Sequence, residues 1–178
     1  DTCMRVCDDL MNNFEDKEKG GFFFTSNQHE QLFYRPKSIS DDSVPSGLVY
    51  ATDTLLYMGF ISGNQKYIEA AYGALDFIYK SIDDNLTSSV SAINLLHEDN
   101  LEKEIIIVRT NKKTWEKITD SEEYYGRCII FIENELQNLP DYIAYKESKG
   151  EFTSYHCKGM TCQTPRLSFE DFIDTLKT

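Results

Sequence analysis

The sequence predicts an α+β chain in two pieces: helical hairpins with a β-hairpin over residues 1–100, then a small α/β subdomain over residues 101–178. Three observations predict it. Residues 65–80 repeat apolar side chains at helical spacing. Residues 104–132 read strand, helix, strand within the roughly 30 residues that one βαβ unit needs. Between these, near residues 98–103, the composition shifts from amphipathic-helical to β-branched. Hydrophobic residues make up 40% and aromatics 13% of the 178 residues, so a packed core is available and wholesale disorder is not expected.

Residues 2–15 read as a helix, with Met4, Cys7, Met11 and Phe14 on one stripe. Cys3 and Cys7, four apart on one face, read as small core residues. Asp1 opens inside this helix without an initiator Met, which reads as a fragment or a processed form. Glu15 to Gly21 breaks the pattern, and Asp16 before Gly20-Gly21 fits a turn needing positive φ. Phe22-Phe23-Phe24 and Leu32-Phe33-Tyr34 read as aromatic strands around a polar turn at Ser26–His29, a β-hairpin. Residues 35–44 read as an irregular loop.

Pro45 or Ser46 starts a second helix that runs to about residue 62. Gly63 is a stop, and Asn64 caps the next helix, 65–80. Ile68, Ala71, Tyr72, Leu75, Ile78 and Tyr79 form its stripe. So short a link predicts an antiparallel αα-hairpin, with Ile68, Tyr72, Leu75 and Tyr79 buried against Leu48 and Leu55. A short helix follows near 86–97. Glu104–Arg109 reads as a buried strand, 110–123 as a helical crossover, and Arg127–Ile132 as a second buried strand. Phe152–Cys157 reads as a third strand. Ser168 reads as the N-cap of a closing helix with Glu170 and Asp171 in its first turn and Phe169, Phe172, Ile173 and Leu176 on its apolar stripe.

The net charge is −12, from 18 basic and 30 acidic residues, and the basic ones are scattered among acids. That excludes the basic stripe of a nucleic-acid binder and disfavours an anionic membrane surface. No apolar run approaches the roughly 20 residues that span a bilayer. Five cysteines, an odd count, favour a reducing, cytoplasmic compartment over a disulfide framework. The sequon Asn85-Leu86-Thr87 is a pattern that occurs often by chance. No metal motif, nucleophile triad or phosphate loop is present, so no cofactor is expected.

One set of residues matches something specific. Phe14-x-Asp16-x-x-x-Gly20-Gly21-Phe22-Phe23, then Arg35-Pro36-Lys37, Asp41 and Pro45-Ser46-Gly47, resembles the thioredoxin domain-containing proteins of the YyaL and spermatogenesis-associated type. Tyr155-x-Cys157-x-x-x-x-Cys162-Gln163-x-Pro165 resembles that family's closing motif, and the Ile105–Val108 strand sits where the family has its late α/β segment. The sequence departs at Asp42, usually Gly, at Ser43, usually Ala, and at Leu48, where Asn is common. The resemblance covers essentially the whole chain. It implies the last part of an α/α toroid, similar to six-hairpin glycosidases and N-acylglucosamine 2-epimerases, followed by the C-terminal α/β piece. It further implies a parent whose thioredoxin-like domain and remaining toroid lie outside this chain, and it carries no defined reaction.

The candidate site is the loop. Arg35 can grip hydroxyls or a carboxylate with a planar fork, Lys37 adds a mobile cation, and Asp41 or Asp42 can accept sugar hydroxyls or act as a base. A helix start at Ser46 would add free backbone N–H groups. Toroid loops line the central cavity, so a small polyhydroxylated or anionic ligand is the expected partner, with the aromatics at 22–24 and 33–34 as stacking surfaces. The structural alternative is that Arg35 ties the hairpin to the loop through Asp41.

Cys157 and Cys162 read either as structural thiols or as a redox pair; their spacing with no second pair argues against zinc. Lys158 and Arg166 are the neighbouring cations, and neither cysteine reads as strongly activated. His156 would point to the other face of its strand. Three functions stay open. One is a contribution to a carbohydrate-like ligand cavity. The second is a redox-linked scaffold for a thioredoxin-like domain. The third is a structural interaction module.

Overall fold

The computed structural model describes residues 2–29, 33–82, 86–100, 103–120, 124 and 126–177. The expected helical start at Asp1, the strand residue Leu32, the sequon's Asn85 and the crossover's end at Glu123 lie outside the described residues. The fold is α+β, with seven α-helices and a four-stranded mixed open sheet among the described residues. The chain divides into two compact units, Asp1–Leu101 and Glu102–Thr178.

The first unit holds α1 (Thr2–Phe14), α2 (Gly47–Ser62), α3 (Gln65–Ser81) and α4 (Val90–Asn100), with a 3-10 turn at Leu86–Ser88 before α4. The sequence of α2 is apolar nearly all round, as expected for a helix packed on several sides, and it contacts α1, α3 and α4. Ser46 caps its N-terminus through its side chain, and Gly63 takes the left-handed conformation at its end. Asn64 then caps α3.

The α2–α3 pair is antiparallel: the end of α2 at Gly59 packs on the start of α3 at Ile68, while Leu48 and Phe77, at the opposite ends, both flank Gly21. The buried face of α3 is Tyr67, Ile68, Ala71, Ala74, Leu75 and Ile78. The expectation for its tyrosines is corrected, because Tyr72 is 47% and Tyr79 69% exposed. The buried stripe is centred on the alanines, which let the helices approach, and the two tyrosines flank it, partly exposed. Cys7 is buried as expected, whereas Cys3 is exposed.

The expected β-hairpin is also corrected. Phe22 makes a single bridge to Glu15, Phe23 N–H donates to Phe14 O, and Phe24 N–H to Pro36 O. The described parts of both aromatic segments form no strand ladder. Phe22, Phe23 and Phe24 instead lie along the end of α1 and the 35–46 loop, which take their backbone hydrogen bonds. Gly20 and Gly21 both have positive φ, and a Cβ on Gly20 would sit 2.2 Å from the carbonyl oxygen of Gly73 in α3. Only glycine allows that turn and that approach.

The second unit contains β1 (Glu104–Thr110), α5 (Lys112–Thr119), β2 (Cys128–Glu133), α6 (Asp141–Ala144), β3 (Thr153–Lys158), β4 (Thr161–Cys162) and α7 (Phe169–Leu176). The sheet order is β2-β1-β3-β4. β1 and β2 are parallel, joined by a crossover containing α5, and β1–β3 and β3–β4 are antiparallel. β1 is central, and its β-branched residues are buried on both faces. One face buries Ile106 and Val108 with Ile118, Phe152, Phe172 and Leu176. Trp115 stacks on Phe131 at 4.9 Å beside them. On the other face, Ile107 pairs with Tyr155 and Ile105 with Cys157. The 140–149 segment is tied back to the sheet by Tyr155 Oη–H donating to Glu147 O and by Lys149 N–H donating to Thr153 Oγ1.

Candidate functional site

In the first unit the structure gives each of the four loop residues a defined internal contact. Arg35 donates from Nε and Nη2 to Thr25 O and from Nη2 to Asn13 O, with its guanidinium 4.1 Å from the Phe23 ring centre. Asn13 lies in the last turn of α1, so this cation satisfies a carbonyl that the helix leaves free. Lys37 Nζ donates to Asp16 Oδ2 at 2.6 Å and to Gly20 O at 2.8 Å, and lies 4.1 Å from the centre of the Phe77 ring. Both partners of this ion pair are nearly buried. Burial pushes the Asp16 carboxyl up, but hydrogen bonds from Lys37 and from the Lys19 and Glu18 amides outweigh it, and the carboxyl sits below the usual range.

Asp41 joins two helix starts. It accepts from Ser46 N–H before α2 and from the N–H and hydroxyl of Ser91 in the first turn of α4. Burial raises its pKa, and the Ser91 hydroxyl and amide, the Ser46 amide and the Val90 amide more than reverse this, so it stays below the usual carboxylate range. A carboxylate with both oxygens so engaged is poorly placed to act as a base. Ser46 is buried, accepts from Val49 N–H as the cap of α2, and donates its hydroxyl to Ser38 O. Arg35 and Asp41 do not bond each other, so the direct tie considered from sequence is not formed.

Beside this loop lies a concavity of about 550 Å³. Phe22, Phe23 and Phe24 give it aromatic surface, and Ser38, Ser40 and Asp42 add hydroxyls and a carboxylate. Phe24 is 82% exposed. Of the four candidate residues only Ser46 lines it; Asp41 lines a separate recess of about 370 Å³ with Tyr50, Asp53 and Glu98. The Phe22–Phe24 run is legible in the sequence as a stacking surface. The serines are not, since nothing in their spacing sets them apart.

In the second unit Cys157 and Cys162 form a disulfide with an S–S distance of 2.09 Å across the β3–β4 pair. This corrects the reading of two structural thiols. The free cysteines are Cys3, Cys7 and Cys128. The cation at the sulfurs is Lys146, rather than Lys158 or Arg166. Its Nζ is 2.8 Å from Cys162 Sγ and 3.7 Å from Cys157 Sγ. Its ammonium also lies 4.6 Å from the Tyr145 ring centre and 5.1 Å from that of Tyr155. Lys146 is 5% exposed, and burial holds its ammonium below the usual lysine range. No motif signals it, because it stands well outside the cysteine pattern and is brought in by the fold of the 140–149 segment.

His156 faces the opposite side of the sheet, against Phe172. Burial first, and then Arg166 and Arg127, push its pKa down to about 4. Among the described residues no cluster of His, Cys, Asp and Glu could hold a metal ion, and no helix is long and apolar enough to cross a membrane. No protein-family model matches this sequence, and no curated protein matches it.

Proposed function

We propose that the first unit forms part of the wall of a cavity for a carbohydrate-like ligand, within an α/α toroid of the thioredoxin domain-containing type that the sequence motifs resemble. The observation that carries this reading is the groove in which aromatic rings adjoin Ser38, Ser40 and Asp42. Sugars are held by such pairing of ring faces with hydroxyl-binding groups. Arg35, Lys37, Asp41 and Ser46 hold the loop in shape, and Asp42, Ser38 and Ser40 make the contact. Exposed Phe24, Val44 and Tyr50 beside the two recesses suit surfaces that further hairpins of a toroid would cover.

The test is a pair of variants in the protein carrying the rest of the toroid, titrated with monosaccharides by calorimetry. Asp42→Asn should weaken binding severalfold with an unchanged melting temperature. Asp41→Asn should lower the melting temperature, since it removes a charged acceptor serving two helix starts, worth about 1.5–3 kcal/mol for a hydrogen bond to a charged group. Sugar affinity untouched by Asp42→Asn would overturn the groove assignment. The 178-residue chain alone should bind sugars weakly or not at all, because it lacks an opposing wall.

A second reading is favoured by one specific observation, the Cys157–Cys162 disulfide with a buried cation on its sulfurs. In a reducing cytoplasmic setting, which the free thiols suit, disulfides are usually transient and catalytic. On this reading the second unit is a redox element working with a thioredoxin-like domain.

A further inference from the structure

We propose that the Cys157–Cys162 disulfide is opened by a protein dithiol attacking Cys162, and that the Lys146 ammonium stabilises the thiolate that this cleavage releases. The proposal rests on the redox reading above and assigns its chemistry to particular atoms.

The first support is an imbalance of charge. Lys146 is buried, and among the described residues no carboxylate pairs with it. Around its ammonium stand two sulfurs and two phenol rings. A disulfide sulfur is neutral and a weak acceptor, so the cation is under-compensated while the bond is intact. Breaking the bond creates an anion within its reach. The arrangement therefore favours the reduced state relative to a disulfide with no cation beside it.

The second support is the asymmetry of access. Cys157 is buried in β3, while Cys162 is exposed on the two-residue edge strand β4. An incoming thiolate can reach Cys162 Sγ from the sheet edge. The third is how Lys146 is held. Arg109 Nη1 donates to Lys146 O, and Tyr155 Oη donates to the next carbonyl, Glu147 O. The lysine backbone is thus fixed over the sheet face that carries Cys157.

A thiolate of the incoming dithiol forms a new S–S bond to Cys162 Sγ. The Cys157–Cys162 bond breaks, and Cys157 Sγ leaves with the electron pair as a thiolate beside Lys146. The second thiol of the incoming protein, deprotonated, then attacks the mixed disulfide and releases Cys162 as a thiolate. The partner ends as a disulfide, oxidised by two electrons. Cys157 and Cys162 end reduced by the same two, taking up protons from Lys146 or water.

The experiment measures thiol release from the folded 178-residue chain in dithiothreitol, for wild type, Lys146→Met and Lys146→Arg, with circular dichroism to follow the fold. Wild type should be reduced reversibly while folded. Lys146→Met should react at least tenfold more slowly, and Lys146→Arg should recover much of the rate. In Cys162→Ser, the remaining Cys157 thiol, the sulfur that leaves beside Lys146, should be alkylated by iodoacetamide with a midpoint below the ordinary value of about 8.5. In Cys157→Ser, the exposed Cys162 should be alkylated much faster than the buried Cys157 is in Cys162→Ser.

Folded, reversible reduction with Lys146→Met as fast as wild type would overturn the role of Lys146 and leave the redox reading standing. Thiols released only as the protein unfolds would overturn both. If Lys146→Met does not fold, the Cys157 midpoint in Cys162→Ser decides, and a value at or above that of an ordinary cysteine overturns the proposal.

Discussion

Asp41 shows how a residue's role depends on what the fold brings to it. Its type and its place in a polar loop suggest a ligand carboxylate, but its oxygens serve the starts of α2 and α4. The partner Ser91 is distant in sequence, so no local pattern could name it. His156 is buried against Phe172. Its imidazole titrates at about 4 in the fold against an ordinary 6.5. Above pH 6.5 both folded and unfolded chains hold it neutral, and its contribution is fully present. As pH falls from 6.5 towards 4 the unfolded chain takes up a proton that the fold refuses, and stability declines by up to about 3 kcal/mol. Asp16 and Asp41, held low, keep their contributions through the upper part of that window and lose them only on further acidification. Urea unfolding between pH 6.5 and 5 should therefore show a slope in the wild type that His156→Gln lacks. An equal slope in both would remove the assignment.

Elements were legible in proportion to how local their signals are. The α2–α3 pair, its Gly63 stop and its Asn64 cap are written in adjacent residues, as is the strand–helix–strand run of the second unit. The 22–34 segment misleads because aromatic alternation suits a strand, while its described backbone groups bond instead to the end of α1 and to Pro36. The positions of Tyr72 and Tyr79 mislead because a tyrosine counts as apolar in a periodicity and yet sits comfortably at a helix flank. Leu75 lies in the interior of the α2–α3 core at 5% exposure. Leu75→Ala should cost about 2–5 kcal/mol from lost transfer energy and the cavity left behind. Chemical denaturation of the variant measures it, and a loss below about 1 kcal/mol would show that the core closes over the gap.

At the scale of the molecule, each unit has its own apolar core, one gathered between helices and one against a sheet. The composition shift near residues 98–103 foreshadows two pieces because helices and buried strands draw on different residues. The candidate sites were less legible, since a groove and a cation over a disulfide are products of distant segments meeting. Gly20 and Gly73 touch, yet they are not equivalent. A methyl group on Gly20 would strike the Gly73 carbonyl and would also need a positive φ, whereas one on Gly73 would point into open space. In a saturation library scored for folded protein, position 20 should stay empty of every residue but glycine while the neighbouring Lys17 and Lys19 drift freely. Gly73→Ala should be accepted and even gain up to about 1 kcal/mol from helix propensity. The loop from Asp16 to Gly21 is thereby fixed in length as well as in identity, because inserting a residue would carry glycine away from the one place where the two backbones meet.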